Sequence, residues 1–256
     1  TTSKTKTPHH LTTRSPAKAH TRRHHSMTKH SHHPCPDLRN PGFTLVEMTI
    51  VLVIVALLVG GMLVPLSAQR DVQNIKETER RMAEIKEAVL GFAAIHGRLP
   101  CPTSETDPNS DNYGLEDAAC IEVEGYLPWK SLSVSPIDAW GSPRSSAAAP
   151  FVGHWRYRAD KNFVTSVSLA TATGSALVVQ NANGNSLTTL TDGPVTVIYS
   201  TGPDRVANGK NEDTQSGPET DPTYQSSDRS PTFDDQLIWI GRPLLFNRLI
   251  SAGKLP

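Results

Sequence analysis

The 256 residues carry 25 basic and 25 acidic side chains, a length that allows one ordinary domain with accessory segments and excludes two large ones. The charge is unevenly placed: residues 1–42 hold eight Lys or Arg against one acid, Asp37, and residues 43–256 hold 17 basic and 24 acidic side chains. The acidic body excludes nucleic acid as the main partner, because phosphate binding takes a surplus of Lys and Arg. A basic head before an acidic body is the pattern of a membrane-crossing chain whose head stays in the cytoplasm.

Residues 1–40 lack apolar periodicity and hold eight of the ten histidines, among them His9–His10, His24–His25 and His32–His33. That composition reads as a low-complexity leader rather than a metal site. The basic leader is expected to end at Gly42 and stay cytoplasmic. Translation from Met27, the first methionine, would leave 16 residues before Phe43 and residues 1–26 untranslated.

Met48 to Leu66 is an uncharged apolar stretch. At about 1.5 Å per residue it covers roughly the 30 Å hydrocarbon core of a bilayer, so 43–66 is expected as a transmembrane helix. Gly60, Gly61 and Pro65 weaken its outer end. The helical signal continues, because Val72, Ile75, Met82, Ile85, Val89, Phe92 and Ile95 recur at steps of three, four or seven between charges. Residues 67–97 are therefore expected as an amphipathic continuation that ends at Gly97, with Pro100 forbidding more.

Residues 98–256 form the expected exported domain. A proline-rich loop region precedes strand candidates at 154–158, 163–168, 176–180, 194–200 and 236–241. No helix separates them, so an antiparallel sheet is favoured. Leu244–Ala252 reads as a last short helix stopped by Gly253. The fold class is α+β.

Immediately before the apolar run stands Arg39-Asn40-Pro41-Gly42-Phe43-Thr44-Leu45-Val46-Glu47. A carboxylate at the head of a membrane helix costs free energy to bury and asks for a reason. The string resembles the type IV prepilin signal, with Pro41 as a small departure from it. The resemblance implies that prepilin peptidase cuts after Gly42 and that the new N-terminal Phe43 is methylated. It also implies that Glu47 pairs with the amine of a neighbouring subunit in a filament. The expected product is a pseudopilin or minor pilin of a type IV pilus or type II secretion pseudopilus, single-pass in the inner membrane with its body in the periplasm. Its implied partners are other pilin subunits, an inner-membrane assembly platform and membrane lipid. A cleaved secretory signal leaves Glu47 unexplained, and a lipoprotein lacks its cysteine.

Gly125-Tyr126-Leu127-Pro128-Trp129 and Asp138-Ala139-Trp140-Gly141-Ser142-Pro143 are similar to strings in bacterial pilin-like proteins, with Trp140 as the expected core anchor. Cys101 and Cys120 enclose 18 residues. In an oxidising periplasm they are expected to form a disulfide, worth about 3 kcal/mol by loop-closure entropy. Cys35, on the cytoplasmic side, is expected to stay reduced. The resemblance to major pseudopilins implies calcium at Asp204, Asn208 and Asp235, with Asp234 as a spare carboxylate. Calcium takes six to eight oxygens. Pro203 and Arg205 interrupt that loop, and the Asp234–Asp235 pair also fits a turn cap.

Enzyme motifs are missing. There is no Gly-x-Ser-x-Gly and no His-Glu-x-x-His, and Gly202 to Gly209-Lys210 has six intervening residues rather than the four of a Walker loop. The expected role is structural. The rival from another class is a membrane-anchored periplasmic ectodomain that binds or catalyses.

Overall fold

The computed structural model describes residues 42–122, 124–189, 191–214 and 221–256, without the side chains of 61–68 and 213–214. The leader before Gly42, with its histidine pairs and Cys35, lies outside the described residues. The chain divides into two units between Val53 and Ile54, and each is taken by itself.

Helix α1 spans Leu45–His96. In the first unit Thr44 stands just before it and its hydroxyl accepts the Glu47 amide at 3.1 Å. Thr44-x-x-Glu47 thus has the spacing of a capping box, and Glu47 lies in the first turn, where the helix dipole favours negative charge.

In the second unit α1 buries Met82, Ile85, Val89, Phe92 and Ala93, which follow the three–four step of one helix face. Two members of the expected stripe do not join it, as Val72 and Ile95 are exposed. At roughly 100° per residue, each falls about 110° round the helix from the centre of the buried face. Gly97 ends α1 at φ 71°, the left-handed conformation that glycine adopts without a Cβ penalty.

Among the described residues the main sheet holds four strands, β1 (Glu124–Tyr126), β2 (Arg156–Ala159), β4 (Pro194–Ser200) and β6 (Gln236–Gly241), in the order β1-β2-β4-β6. Every neighbouring pair is antiparallel. β4 is central and all seven of its residues are buried. A register irregularity between Pro194 and Thr196 breaks its alternation. Val195 therefore joins Ile198 in the core under α1, while Val197 and Tyr199 face a second core. That second core lies against β3 (Val178–Gln180) and β5 (Thr223–Gln225), which pair in parallel. The parallel pair departs from the purely antiparallel expectation.

Among the described residues, two short α-helices and a 3-10 turn at Gly209–Thr214 complete the body. The four-residue α2 (Trp129–Leu132) follows β1. Helix α3 (Arg242–Ser251) begins two residues before the expected start, because Pro243 suits a first helical turn. Its Leu245 and Leu249 are buried in the core that α1 caps.

Residues 163–168 are not a strand. The Asp160 carboxylate accepts the amides of Asn162, Gly174 and Ser175 at 2.8–3.0 Å, which turns the chain there and leaves Phe163 and Val164 as core plugs. The core tryptophan is Trp155, 1% exposed, with its indole N–H donating to the Ser135 carbonyl at 3.1 Å. Trp140, expected as the anchor, is only half-buried.

Candidate functional site

The first candidate is the start of α1. Gly42 and Phe43 precede the helix, and every residue from 42 to 60 is exposed, Phe43 by 76%. Glu47 is the only charged side chain between Arg39 and Arg70. No helix is long and apolar enough to cross a membrane among the described residues. The apolar run continues into residues 61–68, whose side chains lie outside the description. Thr44 was not singled out by reading along the chain, although the Thr-x-x-Glu spacing is the signal that finds it.

The second site is the disulfide loop. Cys101 and Cys120 are bonded, with Cα atoms 5.5 Å apart. Glu116 ties the loop to the end of α1: its carboxylate takes both Arg98 guanidinium nitrogens at 2.8 and 2.9 Å and the Cys101 amide at 3.1 Å. Burial pushes the Glu116 carboxyl up, but Arg98 and that amide outweigh it and hold it below the usual range. Its contribution to stability is present above the unfolded carboxylate value and is lost as the pH falls. Cys101→Ser is expected to cost about 3 kcal/mol of unfolding free energy, read from urea melts. A melt equal to that of the oxidised protein would show that Glu116 alone holds the loop.

The string Asp138–Pro143 docks on α1. The Arg81 guanidinium, steadied by Glu77 at 2.8 Å, donates to the carbonyls of Ile137 and Asp138 at 3.0 and 2.8 Å. The Ala139 amide donates to the buried Thr78 hydroxyl at 3.3 Å. The Asp138 carboxylate, itself buried, accepts the Trp140 amide at 2.8 Å and the Ser200 hydroxyl at 2.5 Å. The string therefore serves as a clamp from helix to sheet through its aspartate and backbone, not through Trp140.

The four residues read as calcium ligands do come together. The Asp204 and Asn208 amides donate to Asp234 Oδ2 and Asp235 Oδ2 at 3.2 and 2.9 Å, and the Asp234 amide donates to Asn208 Oδ1 at 3.0 Å. Asn211, which the sequence reading passed over, adds its side-chain N–H to Asp235 Oδ2 at 2.8 Å. Both Asp204 oxygens are also taken, by the Val206 amide and the Asn208 side chain. Of these five side chains, Oδ1 of Asp234 and Oδ1 of Asp235 are the oxygens buried without a hydrogen-bond partner, whereas a calcium ion takes six to eight oxygens. No group of three or more His, Cys, Asp or Glu side chains is placed to hold a metal among the described residues. The four residues expected at a calcium site are thus brought together, with most of their side-chain oxygens engaged in hydrogen bonds within the loop. The cluster is a latch between the loop after β4 and the start of β6.

Burial pushes the Asp235 carboxyl up to about 7, against the pull of Asn208 and Asn211. An unfolded aspartate titrates near 4, so the folded state holds the proton more tightly. This contribution to stability is fully present below about pH 4 and is lost as the pH rises towards 7. Asp235→Asn is expected to flatten that decline, a gain on the order of a few kcal/mol at pH 8. Thermal melts of both proteins at pH 5 and pH 8 check it, and an unchanged pH slope would show Asp235 to be charged throughout.

No curated protein and no solved structure matches the chain. Residues 38–63 match the family model described as the prokaryotic N-terminal methylation motif. This segment brackets Gly42, Phe43 and Glu47 and runs into the exposed apolar part of α1. The chain carries the type IV prepilin-like signal at the head of its long helix.

Proposed function

We propose that the chain is a structural subunit, a pseudopilin or minor pilin, of a type IV pilus or type II secretion pseudopilus. Prepilin peptidase cuts between Gly42 and Phe43, and the freed amine of Phe43 is methylated. Residues 43–66 hold the subunit in the inner membrane as a single pass, with its N-terminus cytoplasmic and its body periplasmic, until the assembly platform moves it into the filament. There the Glu47 carboxylate meets the Phe43 amine of an adjacent copy, away from water, where an unpaired charge is costly.

One observation carries this reading. The methylation motif leads straight into a helix whose residues 43–60 are exposed and apolar except for Thr44, Glu47, Thr49 and the glycine at 60. Such a surface asks for lipid or for other helices of its kind. Deleting prepilin peptidase in the host is the test. The precursor is expected to accumulate with its residues before Phe43 still attached, as read by mass spectrometry. A chain cut at the same place without the peptidase would end the reading.

A further inference from the structure

Strand β6 is an edge. Its one sheet neighbour among the described residues is β4, whereas the opposite edge strand β1 is covered by a bridge between Thr103 and Tyr126. Along the open edge run two hollows of about 450 and 370 Å³ that share Leu237 and Ile238. Helix α1 lines them with Ile75, Glu79, Met82 and Lys86, spaced four, three and four residues apart and so on one helix face. The result is a trough with a helix for one wall and strand backbone that lacks a second partner strand for the other.

The two ends of the trough differ in chemistry. Glu79, Asp228, Asp234, Asp235 and Gln236 line one end, together with the cation Arg229. Asp235 is 6% exposed, and Oδ1 of both aspartates and Oε1 of Gln236 are buried without a hydrogen-bond partner. Trp239 and the exposed Leu244 line the other end.

We infer that this trough receives an extended segment of another protein, added to β6 as a strand. The segment carries a Lys or Arg to the acidic end, where Glu79, Asp228 and Asp234 outnumber Arg229, and an apolar side chain to Trp239 and Leu244. Strand addition satisfies the edge backbone and lets alternate side chains reach the trough. A cationic group there meets the excess of carboxylates over Arg229 along that hollow. A second copy of this chain is a poor occupant, because residues 43–256 hold 24 acidic against 17 basic side chains and meet the acidic end with like charge. This docking uses the body, so it stands apart from assembly through the apolar helix.

The test uses the full chain in detergent and three short synthetic peptides. One alternates Val and Lys, one alternates Val and Glu, and one is the Val–Lys peptide N-methylated at every second residue. The Val–Lys peptide is expected to bind and slow amide exchange across β6. The Val–Glu and N-methylated peptides are expected to bind at least about tenfold more weakly, for want of the cation and of the backbone pairing respectively. Asp234→Asn, at a half-buried position, is expected to weaken Val–Lys binding by about tenfold, and joining it with Asp235→Asn by more. Equal binding of all three peptides, or binding without protection of β6, overturns the proposal. So does self-association through β6 in the absence of peptide, or calcium closing the acidic end while the β6 edge remains unable to take peptide.

Discussion

Glu47→Gln is expected to stop incorporation into filaments while leaving the body folded. The substitution keeps size and shape but removes the charge that would neutralise a neighbour's Phe43 amine. Leaving one member of a buried ion pair alone costs about 3–5 kcal/mol, which is roughly a hundredfold or more per subunit contact. The body is expected to be indifferent, because Glu47 is exposed and its first-turn amide bonds to Thr44 through the backbone N–H. The measurement is the fraction of subunit in sheared filaments, with a thermal melt of the purified chain alongside. Filaments at the parental level would remove the pairing, and an altered melt would mean that Glu47 serves the fold instead.

Trp155→Ala is expected to be the most damaging single change in the body, and Trp140→Ala a mild one. Trp155 is 1% exposed, sits in the main core and has its indole N–H bonded at 3.1 Å. Truncating such a ring costs about 3–5 kcal/mol through lost burial and the cavity left behind. Trp140 is half-buried, and the bonds its string makes to α1 come from backbone groups of Ile137, Asp138 and Ala139. Its truncation leaves those bonds intact and is expected to cost about 1 kcal/mol. Urea unfolding of both variants decides between them. A larger loss at Trp140 would return that residue to the role its motif suggests.

The contrast between the two tryptophans shows where sequence reading reaches its limit. A motif tells which residues keep company along the chain. It does not tell which of them turns inward, because that depends on the partner surface. The string pointed to Trp140, yet it is Asp138 that joins the buried Ser200 hydroxyl to the clamp on α1. The three-residue strands β1 and β5 escaped notice, since three residues carry no readable alternation. The Phe163–Ser168 run did carry β-forming residues, but Asp160 had already committed the chain to a turn. Longer signals fared better: β4 and β6 lie where the alternation and turn clusters put them, and Gly97 ends α1 where its stripe runs out.

By itself the sequence determined the prepilin-like signal at 38–63, the long helix behind it, the antiparallel main sheet and the cysteine pair close enough along the chain to bond. Each is written in residues near one another, as a contiguous motif, a helical period or a short loop. Only the tertiary structure decided that Val195 changes faces at an irregularity in β4, that Asp204, Asn208 and Asn211 close on Asp234 and Asp235, and that β6 is left as an open edge beside α1. Those outcomes depend on register and on contacts between distant segments, and the local pattern of the chain carries no record of either.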